Sequence, residues 1–540
     1  MNGSGLSPKE EIEKAFAGTP QHVLETARRL HKIGDKKRKD GESDWREYLQ
    51  EAENAYNCLL NRVVLGGAVE GQFPAFLLFL LGMMDQQRAW NGRAVALAKV
   101  AEAFLRNIPE QTDATENLLA NVLVLQGYGY RQEGFRMEAE ERFKAAIALA
   151  PNDPEILSGF SGLYINDGNP QKVIDLLNKA EAIKPGTVEE EHWNLALAHL
   201  ELGHWNTGFD LYHKGIQGKE RLNQNYWASG TTPEWDGSPG KTVVIYGEQG
   251  LGDEIMFASI LPEAIRVCRH VIIDCHPRLV EVMRQSFQAC EVFGTRKSTL
   301  HEWAVGRSDI DAQCAIGTLG KFFRHKDADF PQYTAGYLEA NEVKVLELRQ
   351  RLMTLGPGPY IGIAWSGGSK KTRFDLRSVP LKLWAPLLAL DATFVSIHYM
   401  PEAAEAAARF NLPHWQGEID DMDAQIALVK ACDLIISVNQ TLVHVAGALA
   451  KPCWTLTPSR PAWRYGLEGS RMIWYPTVRQ FRQRRVEETE EPWQEVIARI
   501  EPELKGFIRK WVDPGVQGMI RNMSLVVDKP RLEEEIEVEK

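Results

Sequence analysis

The chain has 540 residues, 44% hydrophobic and 25% charged, which is too long for one core and predicts a globular protein of roughly two to four domains. Its formal net charge of -11 argues against general affinity for nucleic acid, so any phosphate ligand must be held by a local basic cluster. Seven scattered cysteines with no C-x-x-C pair read as reduced, mostly buried thiols of a cytoplasmic protein, not as a disulfide framework or a zinc site.

No apolar stretch follows Met1, so no signal peptide is expected. Ser43 to Leu60 and Arg93 to Ile108 have helical apolar spacing, with breaks at Gly66-Gly67 and Gly71. The strongest apolar run, Phe73 to Met84, contains Pro74 and is too short to span a bilayer; it predicts a buried helix, and no transmembrane segment is expected. Residues 1–117 thus read as a helical region in which 78–111 form a degenerate repeat ending at Pro109.

From residue 118 to 222 a repeat is legible. Pro151 and Pro185 stand 34 residues apart, as do Gly134 and Gly168, Phe143 and Leu177, and Ala146 and Ala180. That is the period of tetratricopeptide (TPR) helix pairs, in which each pair buries its face only against its neighbours. A third unit, His192 to Ile216, keeps Gly203. The aromatics Tyr130, Phe143, Tyr164 and Tyr212 read as core. Only Asn194 stands where a peptide-gripping asparagine would, so peptide capture is unsupported by the pattern.

Residues 223–240 are a turn-rich linker, after which an α/β pattern begins. Thr242 to Tyr246 predicts a strand, Gly247 to Asp253 a glycine-rich loop, Glu254 to Val267 a helix and Val271 to Asp274 the next strand. A helix at Ala340 to Thr354 and the hinge Gly356-Pro357-Gly358-Pro359 lead to a second set. Its predicted strands are Tyr360 to Trp365, Thr393 to His398, Leu434 to Val438 and Cys453 to Leu456. Residues 241–355 and 356–512 are therefore expected to be two Rossmann-like halves with ligands off the carboxyl ends of their strands. Pro492 to Trp511 is an amphipathic helix, and 513–540 a solvated tail containing Arg531 to Glu535.

The unit from Asp433 to Pro458 carries the sharpest local signal. A buried strand is followed by Asn439, Gln440 and Thr441, which offer turn and N-cap chemistry, then by a small-residue helix ended at Lys451-Pro452. The free N–H groups at such a helix start suit a phosphate, and His444 lies one turn in. The alternative is one more βαβ unit with Asn439 as a cap. In the loop Glu248-Gln249-Gly250-Leu251-Gly252-Asp253 there is no Gly-Lys-Ser/Thr, which excludes a Walker A loop, and no G-x-G-x-x-G spacing. Asp253, placed at the helix start, is either a simple N-cap or a carboxylate able to accept a proton from a hydroxyl. Trp365-Ser366-Gly367-Gly368-Ser369-Lys370-Lys371-Thr372-Arg373 through Arg377 offers N–H groups and cations enough for a diphosphate, or is a solvated basic loop.

These motifs, in order, resemble those of TPR-containing relatives of glycosyltransferase family 9, the heptosyltransferase-type enzymes. The resemblance spans roughly 120–510. It rests on Pro233 to Gly237, Glu248 to Asp253, Ile361 to Gly367, Arg377 to Leu381, Ser437 to Pro452, Ala462 to Tyr465 and Trp474 to Gln483. It implies a helical TPR-like array followed by a GT-B fold of two Rossmann-like α/β domains, and inverting sugar transfer from a nucleotide-diphosphate sugar without a cofactor or catalytic metal. Asp253 matches the family's proposed base. Arg377 matches a cation on the donor diphosphate, helped by Lys371, and Thr441 and His444 match residues near the phosphates. Trp365, Ser366 and Gly367 line the donor side. Asp421 and Met422 lie on the loop expected near base and ribose, and Glu248, Gln249, Gly250 and Gly252 on the acceptor side.

Two departures bear on activity. The family's Asp-Thr is here Asn439-Gln440, which removes a charge beside the donor, and its Asp-Trp-Arg is Ala462-Trp463-Arg464. The expectation is a cytoplasmic glycosyltransferase acting on a protein or glycan hydroxyl, with the array recruiting the acceptor or mediating self-association. Protein O-glycosylation resembling that of the TPR-bearing O-GlcNAc transferases is a related alternative, ranked lower because their signature loops are not found in this sequence. The rival expectation is a non-catalytic TPR scaffold with a degenerate GT-B part.

Overall fold

A computed structural model of the protein describes residues 6–66, 72–165, 168–187, 191–216, 227, 230–296, 298, 300–331, 336–368, 374–484 and 492–512. The expected breaks at Gly67 and Gly71, the linker start at Asn223, Lys371 and the tail from 513 lie outside these residues. The chain divides into two compact units, Met1–Leu195 and Ala196–Lys540.

The first unit is a run of helices: α1 (Pro8–Ala15), α2 (Pro20–Asp40), α3 (Trp45–Leu65), α4 (Phe73–Gln87), α5 (Asn91–Arg106), α6 (Asp113–Glu133), α7 (Arg136–Leu149), α8 (Pro154–Tyr164) and α9 (Pro170–Ile183). Starts are set by chemistry local to the sequence. Ser7, Thr19, Thr112 and Asp153 accept first-turn N–H groups, and prolines open α1, α2, α8 and α9 where no N–H is needed. Helices pack as sequential pairs, α2 with α3, α4 with α5, α6 with α7 and α8 with α9. The apolar run at Phe73 to Met84 lies in the buried α4, which packs against α5. The 34-residue spacing has a visible cause. Gly134 and Gly168 both take a left-handed φ, +87° and +75°. Phe143 packs so tightly on Gly127 that an added Cβ there would stand 2.8 Å from its ring.

The helices α10 (His192–Glu201) and α11 (Trp205–Lys214) form the last repeat-like pair, but α11 belongs to the second unit and its side chains pack within it. Trp205 lies tilted against Phe330, ring centres 4.6 Å apart, and donates its indole N–H to Asp327 at 2.7 Å. Phe209 and Tyr212 meet Trp463.

Two parallel sheets follow. The first has the order β3 (Glu291–Phe293), β2 (His270–Asp274), β1 (Thr242–Tyr246), β4 (Ala312–Ala315). In the second the order is β6 (Thr393–Ser396), β5 (Tyr360–Ala364), β7 (Leu434–Val438), β8 (Cys453–Thr457), β10 (Tyr475–Arg482), β9 (Arg471–Met472), and only β9 runs antiparallel. β1, β5 and β7 are buried along their whole length, as continuous apolar runs in a parallel sheet require. A helical array followed by two parallel α/β sheets is the GT-B-like architecture the motifs imply.

Three local expectations need correction. The single helix expected at Glu254 to Val267 is two, α12 (Leu251–Ala258) and α13 (Leu261–Val267), because Pro262 cannot continue a helix and instead opens a new one. Asp253 does not start α12 but is its third residue. The edge pair β9–β10 was not expected, since β10 carries Pro476 and four polar or basic side chains, Thr477, Arg479, Gln480 and Arg482, that hide its period.

Candidate active site

Strand order decides where a crevice opens. In the first sheet the chain places β2 and β3 on one side of β1 and β4 on the other; in the second it places β6 on one side of β5 and β7 on the other. Both reversals are topological switch points, where loops leaving adjacent strands part. The loops after β1, β5 and β7 leave from them, and these are the three loops singled out in the sequence.

Two of the loops meet directly. α12 packs on α14 (Thr441–Ala448), and a Cβ added to Gly252 would stand 3.1 Å from His444 and 3.4 Å from Thr441. Gly252 is needed for this approach. One oxygen of Asp253 accepts the Gly250 N–H at 3.3 Å, and the other accepts a hydrogen bond from Arg464. This ion pair joins the loop after β1 to the loop after β8, and each side chain keeps about a fifth of its surface exposed (19% and 20%). Burial opposes the charge on Arg464, but Asp253, Tyr465 and Tyr212 together outweigh it and raise the guanidinium above its ordinary value. Glu248 accepts the Gly317 N–H, just beyond β4, at 3.0 Å, while Gln249 offers its carbonyl to Arg296 at 2.9 Å.

On the second sheet, Arg377 donates to the Asn439 carbonyl at 3.0 Å. Burial is the main influence on Arg377 and lowers it, with Asp253 and Arg464 both close enough to act on it. Asn439 is buried, and its side chain does not cap the helix. Its Oδ1 meets the hydroxyls of Thr455 and Thr457 on β8 at 2.7 and 3.2 Å, and its Nδ2 has no partner among the described residues. Gln440 holds the N-cap position without a side-chain cap, its Nε2 donating to Ser437 at 3.2 Å. Thr441 is the first residue of α14. Gly367 passes so close to Gln440 that a Cβ would stand 2.9 Å from that side chain.

His444 is buried between two tyrosines, its Nδ1 3.1 Å from Tyr475 Oη and its Nε2 3.5 Å from Tyr465 Oη. Burial first, then Arg464 and Arg377, hold it well below its ordinary value, so it is neutral. It sets the shape of the site and carries no charge toward a phosphate. Beside β5, Ser366 hydrogen-bonds His398 at 3.0 Å and Trp365 stacks on the same ring at 4.2 Å; burial takes this histidine down to about 3. Gly368 donates its N–H to Tyr399 Oη at 3.0 Å.

Asp421 and Met422 fall outside this cluster. Asp421 caps the helix Met422–Ala431 and pairs with Lys344 at 3.2 Å on the rim of a cavity of about 430 Å³, and Met422 is buried. Sequence reasoning gave no role to Arg464, Tyr465 or Tyr475. One signal was available for Arg464: it is a cation in the loop that leaves β8 at the same carboxyl edge.

No family model matches the sequence. Protein FlbA of Caulobacter vibrioides is 31% identical over 329 residues, 57% of this chain and 54% of that protein, so the chain spans about half the length of the curated relative it matches. Among solved structures, a glycosyl transferase family 9 protein from Veillonella parvula aligns at 13% identity over 51% of this chain and 99% of its own, with TM-score 0.36. ADP-heptose LPS heptosyltransferase II of E. coli aligns at 14% identity over 48% and 99%, with TM-score 0.36. An O-GlcNAc transferase of Thermobaculum terrenum aligns at 14% identity over 84% and 96%, with TM-score 0.28. At these values none of their substrates or mechanisms transfers to this chain. The chain is similar to FlbA over the shared span and carries a GT-B-like pair of α/β sheets after a helical array.

Proposed function

We propose that the protein is a glycosyltransferase that moves a sugar from a nucleoside-diphosphate sugar to a hydroxyl on a protein or glycan. The observation that carries this reading is the convergence of Asp253, Arg377, Arg464 and the start of α14 at one edge of two parallel sheets. Arginine forks match phosphate oxygens, and the free N–H groups of the helix start add to them. Asp253 takes the proton of the acceptor hydroxyl as that oxygen attacks the anomeric carbon from the face opposite the leaving group. The bond to the diphosphate breaks, and its electron pair leaves with an oxygen facing the two guanidiniums, where negative charge grows. This in-line displacement inverts the anomeric configuration and needs no group beyond the donor sugar nucleotide.

The helical array suits acceptor recruitment. Phe79, Met83, Asn121, Tyr128 and Ile156, from α4, α6 and α8, line a cavity of about 180 Å³. A second reading, a non-catalytic scaffold, is favoured by two observations: Asp253 is tied to Arg464, and Asn439 supplies an amide where the related motif has a carboxylate.

Calorimetric titration with ADP, GDP, UDP and CMP separates the two. The enzyme reading predicts that one nucleotide binds and that Arg377→Ala weakens it about tenfold, or about 1.4 kcal/mol. No binding across the panel favours the scaffold.

A further inference from the structure

If Asp253 is the base and the diphosphate lies by α14, Arg464 stands between them with two anions to serve. We propose that Arg464 is a positioning residue that holds Asp253 in an ion pair while the site is empty and exchanges it for a donor phosphate oxygen, so that the carboxylate is freed to take a proton only when the donor is seated. This rests on the donor-site reading above.

Four observations carry it. Arg464 reaches Asp253 through Nη2, while its Nε is buried with no partner among the described residues, so the fork is incompletely used. Both side chains keep a fifth of their surface exposed, so a ligand can reach the pair. Arg377 lies close enough to Arg464 for each charge to be felt, and Asp253 is the carboxylate set against both guanidiniums. The remaining positive charge draws in a diphosphate, whose oxygens compete with a single carboxylate for a guanidinium. Finally, the Gly250 N–H keeps Asp253 in place when Arg464 leaves, and the tight seat of Gly252 on Thr441 and His444 keeps the loop from retreating. The exchange is therefore a side-chain movement. It gives the reaction an order, donor before base, and leaves the base idle without a donor.

A double-mutant cycle on the whole chain tests it, with inorganic pyrophosphate and the four nucleotides as probes. Asp253→Asn removes the competing anion and should tighten pyrophosphate or the preferred nucleotide about fivefold. Arg464→Met should weaken it about tenfold, and in that background Asp253→Asn should have no effect. Arg464→Gln, which removes the charge and keeps a polar side chain, is read the same way if Arg464→Met melts early. A tightening that persists without Arg464 means simple charge repulsion and overturns the exchange. So does an unchanged affinity in Asp253→Asn when the wild type binds. If neither wild type nor Asp253→Asn binds any probe, the donor-site reading falls and the exchange falls with it.

Discussion

Glu254 follows Asp253 in the sequence but is sealed beneath the glycine loop, where a Cβ on Gly247 would stand 2.2 Å from its carboxyl. Its Oε1 accepts the His276 N–H at 2.7 Å, and Arg296 lies 3.4 Å from Oε2. Burial outweighs that arginine and pushes the carboxyl up from 4.5 to about 7. A group raised in the folded state contributes stability that is complete below its unfolded value. That contribution, about 3 kcal/mol here, is lost as pH rises from 4.5 toward 7. His398 has the opposite sign: held down to about 3, it costs stability as pH falls from 6.5 toward 3. Glu254→Gln should remove this contribution, so the urea midpoint of the variant should gain on wild type as pH rises from 4.5 to 7, and a difference that stays constant with pH would contradict burial as the cause. Asp253 and Arg377, singled out in the sequence each from its own loop, fall in one cluster. Arg464 and Glu254 were not legible in the sequence, because their partners are set by tertiary packing; Arg464 meets a residue 211 positions away.

Elements with local causes were read closely. β1 and β7 have the expected bounds, since a parallel strand buried on both faces is one apolar run ended by a turn. The left-handed caps at Gly134 and Gly168 show why the repeat spacing is visible. β10 was missed because its role is to cover α14, not to alternate in and out: Tyr475 lies flat on Gly447, where a Cβ would stand 2.2 Å from the ring. Tyr475 then reaches His444, and Tyr337 Oη donates to the Ile255 carbonyl of α12 at 2.6 Å while lying 3.5 Å from Tyr475 Oη. Gly447→Ala should therefore force this tyrosine network apart and destabilise the protein by about 1–3 kcal/mol in a urea titration. A change below about 0.5 kcal/mol would show that the ring shifts freely.

At the scale of the whole molecule, the order of a helical array and two α/β halves was legible from two periods, the 34-residue repeat and the spacing of buried strands. Where the array ends was not, because Trp205, Phe209 and Tyr212 keep repeat-like positions while packing on residues more than 100 positions downstream. Both α/β halves contribute to the site, Asp253 from the first and Arg377, Thr441 and Arg464 from the second. The most direct test is a crystal structure of the full chain with the tightest-binding nucleoside diphosphate. The account predicts the diphosphate at the start of α14, within hydrogen-bond distance of Arg377 and Arg464, with Asp253 released from its ion pair. A nucleotide bound elsewhere, or a crevice still empty at saturating ligand, would contradict it.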